Sequence, residues 1–271
     1  MTLLGFPAWA GSPPEWRVLA PGMDLGILST RASATAGDAR ITVLRIDPNL
    51  WELGFAGASE SSAGSGGTAR EWCKRRGFTA AINAGMFAAD RVTHVGYLRS
   101  REHVNSDHPN DYQSVAAFDP RGGRVLPRFR IFDLDDPGVT VQSISKEYAS
   151  AVQNLRLIKR PGINRWGQQQ KRWSEAALGE DSGGRILFIF SGSPFSMHDL
   201  GEELLASGIG LAAAQHLEGG PEAQLYVKLN EFELEQFGRY ETPFRENEGN
   251  TIPWPIPNVL GVRPRSPPAR K

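Results

Sequence analysis

Hydrophobic and polar positions along this chain alternate in short stretches, the pattern of many brief strands with few helices. Trp16 to Leu19 and Leu25 to Leu28 flank the turn dipeptide Pro21-Gly22 and predict a strand pair. Ile41 to Ile46 and Trp51 to Phe55 predict two more strands around Asp47-Pro48-Asn49. Ser59 to Gly67 reads as a loop by composition. A helix follows over Ala69 to Arg76, with Thr68 placed to cap its start, Gly77 to end it and Trp72 as its inward anchor. Phe78 to Asn83 predicts a strand that ends on an amide, with Gly85 and Phe87 just beyond. Ser100 to Gln113 is polar and reads as a solvated loop. Ser114 to Phe118 and Arg124 to Leu126 predict a hairpin about Asp119 to Gly123. Ser145 to Ala151 suggests a helix, and Leu155 to Ile158 a strand.

The second half carries the strongest signals. Arg185 to Ser191 (RILFIFS) is a continuous apolar run suited to a buried strand. Ser196 to Asp199 has the capping-box form, opening a helix with Leu200, Leu204 and Leu205 on one face and Gly208 at its end. Gly210 to Val227 then runs from small apolar residues into Gln215, His216 and Glu218, breaks at Gly219-Gly220 and resumes as a strand. That predicts a hairpin with His216 and Glu218 facing the same side, since side chains alternate along a strand. It fits an ordinary hairpin with a polar mouth as well as a strand delivering an acid to a tight loop. Phe232 to Pro255 reads as a surface segment, and Ile256 to Val262 as a final edge strand. Strands and helices in no regular alternation predict an α+β fold, with mixed, mainly antiparallel sheets and a few short flanking helices.

Composition narrows the class. The chain has 271 residues, 40% hydrophobic and 22% charged, which fits one large domain. We expect an N-terminal arm or leader remnant over 1–12, a single domain over 13–262 and a basic, proline-rich tail over 263–271. Thirty basic residues balance thirty acidic ones, so no basic excess marks a nucleic-acid partner. One cysteine, Cys73, excludes a disulfide within the chain. No run of about 18 apolar residues predicts a transmembrane helix. Ala8-Trp9-Ala10 has the small-x-small form of a signal cleavage site, but no basic segment precedes it. A secreted or periplasmic location is the expectation, and a plain N-terminal arm the alternative.

The candidate chemistry is carboxylate and amide. Asn83, at a strand end, both donates and accepts, which suits a sugar hydroxyl or a simple turn. His103, Asp107, His108 and Asp111 are metal-ligating types, but their spacing matches no recognised site and no metal is assigned there.

Four pieces occur in an order that resembles the phosphodiester glycosidase domain family. They are Asn83-x-Gly85-x-Phe87, the Ala177 to Ser191 unit, the helix feeding Leu217-Glu218-Gly219-Gly220, and Pro257-Asn-x-x-Gly-Val262. The resemblance covers Phe78 to Val262. It implies glycosidic hydrolysis of a carbohydrate or glycosyl-phosphodiester, with Glu218 in the place of the family's acid and Asn83 positioning sugar hydroxyls. Glu222 joins them as a catalytic candidate, and Gly85, Phe87, Arg172, Glu175, His216, Gly219 and Gly220 as substrate-binding candidates.

This chain departs from the family pattern where it matters. The family's Leu-Asp-Gly-Gly-Gly-Ser reads Leu217-Glu218-Gly219-Gly220-Pro221-Glu222 here, and Glu175 stands where the family places an arginine, with Arg172 nearby. Extra carboxylates repel a phosphodiester unless Arg172, Arg99 or a divalent cation restores the balance. Three readings follow: a phosphodiesterase so balanced, a two-carboxylate hydrolase of neutral glycosides through Glu218 and Glu222, and a metal held by Glu218, Glu222 and His216. A non-catalytic glycan-binding protein or envelope scaffold is the competing class.

Overall fold

In a computed structural model, residues 14–31, 37–60, 66–123, 125–241 and 251–266 are described. The strands in chain order are β1 (Trp16–Ala20), β2 (Met23–Ser29), β3 (Arg40–Ile46), β4 (Trp51–Gly57), β5 (Ala80–Asn83), β6 (Leu98–Ser100), β7 (His103–Ser106), β8 (Ser114–Pro120) and β9 (Phe129–Asp133). They continue as β10 (Tyr148–Lys159), β11 (Ile163–Asn164), β12 (Trp173–Asp181), β13 (Ile186–Phe195), β14 (Leu211–His216), β15 (Gln224–Leu229), β16 (Phe232–Phe237) and β17 (Asn258–Pro264). Three helices accompany them: α1 (Ala69–Arg76), α2 (Val141–Glu147) and α3 (Met197–Ala206). The fold is α+β, and every strand pairing among the described residues is antiparallel.

The strands form two sheets. The larger follows β1-β2-β3-β13-β12-β14-β10-β6-β7, with β8, β9 and β11 attached beside β10. The smaller follows β16-β15-β5-β17-β4. Alternate residues of both sheets point at one another: Leu44, Ile46, Leu178 and Phe188 from the larger meet Phe55, Ile82, Leu225 and Leu260 from the smaller. Each sheet's outer face is covered by a helix. Met197, Leu200 and Leu204 of α3 pack on Ala177, Ile189 and Ala214 of the larger sheet. Trp72 and Cys73 of α1 pack on Ala81, Tyr226 and Val259 of the smaller. Fully burying a side chain such as Leu200 contributes about 1.5–3 kcal/mol, which is what holds a ten-residue helix in place.

The helix ends obey their sequence signals. Thr68 and Glu71 form a reciprocal capping box, and Gly77 ends α1 at φ 65°. The Ser196 hydroxyl accepts from the Asp199 N–H at 3.1 Å, and Gly208 follows α3 at φ 74°. Trp72 is the anchor expected, its indole donating to the Ile256 carbonyl at 3.0 Å.

Several sequence expectations are corrected. Gly210 to Val227 is not a hairpin: β14 lies inside the larger sheet and β15 in the smaller, so the glycine break is a crossover between sheets. Local alternation cannot distinguish these, because both arrangements need the same turn. The last strand is interior, held between β5 and β4, with Asn258 to Val262 all buried. The polar run Ser100 to Gln113 contains β7, whose Asn105 amide holds Ser59 Oγ at 2.7 Å and the Val92 carbonyl. β8 pairs with β9 and β10; of the expected hairpin arm Arg124 to Leu126, residue 124 lies outside the described residues, and Phe129 and Ile131 supply the inward apolar positions. The helix expected over Ser145 to Ala151 is α2, which starts earlier because Thr140 caps it and gives way at Tyr148 to the twelve-residue β10. Phe232 to Phe237 is a strand, not surface coil. The arm over 1–12 and Ala8-Trp9-Ala10 lie outside the described residues, as do 61–65, 242–250 and 267–271. No helix among the described residues is long and apolar enough to cross a membrane.

Candidate active site

The crossover from β14 to β15 is the structural basis of the site. Leu217 is buried in the core and its N–H donates to the Ala176 carbonyl at 3.0 Å, so the chain stays fixed to β12 until it turns away. Asn83, at the end of β5, then grips both ends of the crossover. Its Nδ2 donates to the Glu218 carbonyl at 3.1 Å, and its Oδ1 accepts from the Gln224 N–H at 3.1 Å. Gln224 passes the restraint to α1, accepting from the Ala69 N–H at 2.8 Å. The two glycines are needed for separate reasons. A Cβ on Gly219 would sit 2.1 Å from Trp173 Cδ1, and Gly220 adopts φ 65°.

Beneath this loop lies a buried ion pair. Glu175 on β12 and His216 on β14 share one face of the larger sheet, and His216 Nδ1 meets Glu175 Oε2 at 2.8 Å. They are 1% and 4% exposed. Burial disfavours the charged form of each and raises the Glu175 pKa, with His216 opposing. For His216 burial works downward, but Glu175 and then Glu218 outweigh it, and its pKa is raised. Trp173 packs edge-on against the His216 ring, centroids 5.9 Å apart. His216 Nε2 has no hydrogen-bond partner among the described residues, and the ring lines a cleft of about 420 Å³.

Three carboxylates and three aromatic side chains line that cleft: Glu218, Glu222 and Glu241, with Phe87, Trp166 and Trp173. Burial pushes Glu218 up to about 7, with Glu222 and Glu241 adding to the shift and His216 opposing it. Burial also raises Glu222; Glu241 reinforces that and Arg91 counteracts it. Among the described residues, no lysine or arginine lines the cleft.

Of the residues singled out in the sequence, Glu218, Glu222, His216, Gly219 and Phe87 meet at this cleft. Asn83, Glu175 and Gly220 lie beneath its floor, through the contacts above. Gly85 is set behind it: at φ 143° its missing Cβ leaves room for Asn154 Oδ1, which a Cβ would approach to 2.1 Å. Arg172 is ion-paired with Asp199 at 2.6 Å and Arg99 donates to the Arg101 carbonyl at 2.7 Å, and neither is among the residues lining the cleft. The metal reading lacks ligands. His216 is held by Glu175, and among the described residues no three His, Cys, Asp or Glu side chains converge to hold a metal.

Trp166, Trp173, Glu241 and Tyr112 were not foreseen. Two tryptophans flanking the polar run 167–172 were the available signal for the first two, since apolar rings in a polar stretch suggest a ligand surface. Glu241 had none: Ser174 Oγ accepts from the Arg239 and Tyr240 N–H groups at 3.0 and 3.1 Å and draws Glu241 alongside Trp173. Tyr112 stands beside the cleft, its hydroxyl directed to Met86 Sδ at 3.8 Å, and its pKa is raised by burial and by Glu218.

Residues 76–263 match the family model for phosphodiester glycosidase. Among solved structures, the catalytic domain of zebrafish N-acetylglucosamine-1-phosphodiester alpha-N-acetylglucosaminidase, auto-inhibited by its pro-peptide, superposes with a TM-score of 0.62 at 14% identity, over 94% of this chain and 87% of that one. A hypothetical protein from Synechocystis gives 0.65 at 15% identity, over 94% of this chain and 64% of that one. A Burkholderia pseudomallei protein described as a candidate exported protein gives 0.52 at 11%, over 82% and 73%. At these identities the superpositions establish the fold. No curated protein matches this chain in sequence. The family match spans more than half of the chain, which therefore belongs to the phosphodiester glycosidase family, glycosidase-like hydrolases of carbohydrate-type substrates.

Proposed function

We propose that this chain hydrolyses a glycosidic bond in an envelope or secreted carbohydrate, with Glu218 as proton donor and Glu222 as the ionised partner. The observation that carries this reading is a carboxyl raised to about 7 at the mouth of an aromatic-walled cleft. Such a group is still protonated near neutral pH and able to act as a general acid. Phosphate departs without help but needs cations around it; a sugar alkoxide needs a proton and no cation. A cleft lined, among the described residues, by three glutamates and no lysine or arginine matches the second requirement.

Glu218 gives its proton to the bridging oxygen as the bond to the anomeric carbon breaks. Glu222, the second carboxyl of the cleft, stabilises in its ionised form the positive charge that develops on the sugar. Water then attacks that carbon, and Glu218 takes the proton back. Asn83 is a positioning residue, because its amide is committed to the loop carrying Glu218. The Glu175–His216 pair fixes the floor, leaving His216 Nε2 open to a substrate hydroxyl. Export is supported by Ala8-Trp9-Ala10 and by the fold shared with a protein described as a candidate exported protein.

The test is a panel of fluorogenic glycosides and a sugar phosphodiester, with and without divalent cations. We expect turnover of at least one glycoside and its loss in Glu218→Gln. Glycan binding with no turnover of any substrate replaces this reading with that of a binding scaffold.

A further inference from the structure

The acidity of the cleft exceeds what glycosidic hydrolysis requires, because two carboxylates suffice for that chemistry and three are present. Glu241 is the surplus one. It reaches the cleft on a backbone held to Ser174, and its Oε2 lies 3.2 Å from where a Cβ on Gly220 would stand. Glu222 is partly buried and Glu241 exposed; the charge of Glu241 raises the Glu222 pKa, and a cation beside them would relieve that repulsion. Among the described residues, Arg91 is the cation that acts on Glu222, and it does so from outside the cleft lining. Glu175 and His216 cancel as a pair. Arg91 lies over Phe87 at 5.6 Å, is bonded to the Pro255 carbonyl, and is not among the cleft-lining side chains.

Two further observations point to a ligand. His216 is 4% exposed, lines the cleft and leaves Nε2 without a partner, a site for a sugar hydroxyl. Phe87, Trp166 and Trp173 supply ring faces, which attract cations and pack against flat apolar surfaces.

We propose that the cleft selects a sugar bearing a free, positively charged amine, held by Glu222 and Glu241, over its N-acetylated or neutral counterparts. This rests on the cleft being the sugar site, as argued above, and adds the substrate's charge. An ammonium placed there restores neutrality, whereas an acetamide or hydroxyl leaves two carboxylates unpaired.

Titration calorimetry with glucosamine, N-acetylglucosamine and glucose oligomers of equal length tests binding without requiring turnover. We expect the glucosamine oligomer to bind at least about tenfold tighter than the other two, weakening as salt is raised. Glu241→Gln, a near-isosteric change, is expected to abolish that preference while keeping the melting temperature. Equal affinity for the three oligomers, or an unchanged preference in Glu241→Gln, overturns the proposal. Binding of spermine as tight as that of the glucosamine oligomer also overturns it, since the cleft would then be a general cation trap. The two readings fail separately. Preferential binding without hydrolysis removes the hydrolase and leaves the selectivity, and hydrolysis without preference does the reverse.

Discussion

Glu175 and His216 form a buried ion pair at 2.8 Å whose strands are joined in register two residues away, at Ala177 and His216. The sequence resemblance aligns Glu175 with an arginine of the family pattern; in this chain the residue there is paired with His216. Among the described residues Glu175 Oε1 makes no hydrogen bond of full geometry, though the Trp173 side chain acts on this carboxylate, so the pair balances in charge without satisfying every polar atom.

Removing one partner leaves the other charge buried. We expect His216→Ala to destabilise the protein by about 3–5 kcal/mol. The double substitution Glu175→Met/His216→Leu is expected to recover most of that loss, since an apolar pair needs no desolvated charge. Urea unfolding of both single variants and the double variant gives the coupling. Strict additivity would show that the two side chains do not act as a pair.

Glu218 offers a pH signature with a definite sign. Its folded pKa, about 7, lies above the value of an unfolded glutamate, so the native state binds the proton more tightly. Stability from this group is therefore present at low pH and falls as pH rises from about 4.5 to about 7. At pH 8 the penalty is about 3 kcal/mol, and Glu218→Gln removes it. We expect Glu218→Gln to be more stable than the wild type at pH 8, equal to it near pH 4, and about 10²- to 10⁴-fold less active. Melting curves against pH decide the first part. In the wild type, activity should decline as pH rises through about 7, and an activity still rising at pH 8 would exclude Glu218 as the acid.

Much of this molecule was legible in advance, for reasons that follow from how local each signal is. Thr68, Gly77, Ser196 and Gly208 mark helix ends through contacts within a few residues, and all four do so here. Ile186 to Ser191, within the expected run Arg185 to Ser191, is buried on both faces because β13 is interior, which a continuous apolar stretch encodes directly. Sheet membership is not local. Leu211 to Ala214 and Gln224 to Val227 look like hairpin arms, and only their partners, β12 and β10 against β5 and β16, assign them to different sheets. The site divides likewise. Glu218, Glu222 and His216 lie within one crossover and could be read together, whereas Glu241 arrives through hydrogen bonds to Ser174, 65 and 66 residues away from their donors.

The grip of Asn83 on the crossover separates positioning from chemistry. Asn83→Ala removes both hydrogen bonds and leaves a buried N–H and carbonyl without partners, at a cost of about 2–4 kcal/mol. Loosening the loop should lower kcat more than it raises KM, because the misplaced group is the acid and not the aromatic walls. Asn83→Asp keeps the acceptor for the Gln224 N–H but loses the donor to Glu218, and an intermediate kcat is expected. Equal activity in Asn83→Ala and the wild type would deny the loop any part in placing Glu218.

Glu222 offers a test of the sequence resemblance, which aligns it with a serine of the family pattern. The Glu222 carboxylate lies in a cleft that no cation lines among the described residues, and it repels a phosphate group. In a partly screened site one such charge contributes on the order of 1 kcal/mol, so Glu222→Ser should raise kcat/KM for a sugar phosphodiester about fivefold. The same change removes the group that stabilises the developing cation, so turnover of an ordinary glycoside should fall at the same time. Opposite movement of the two rates is the expected outcome, measured on one preparation at one ionic strength. If both rates fall together, Glu222 contributes to catalysis on either substrate and charge repulsion is not what separates them.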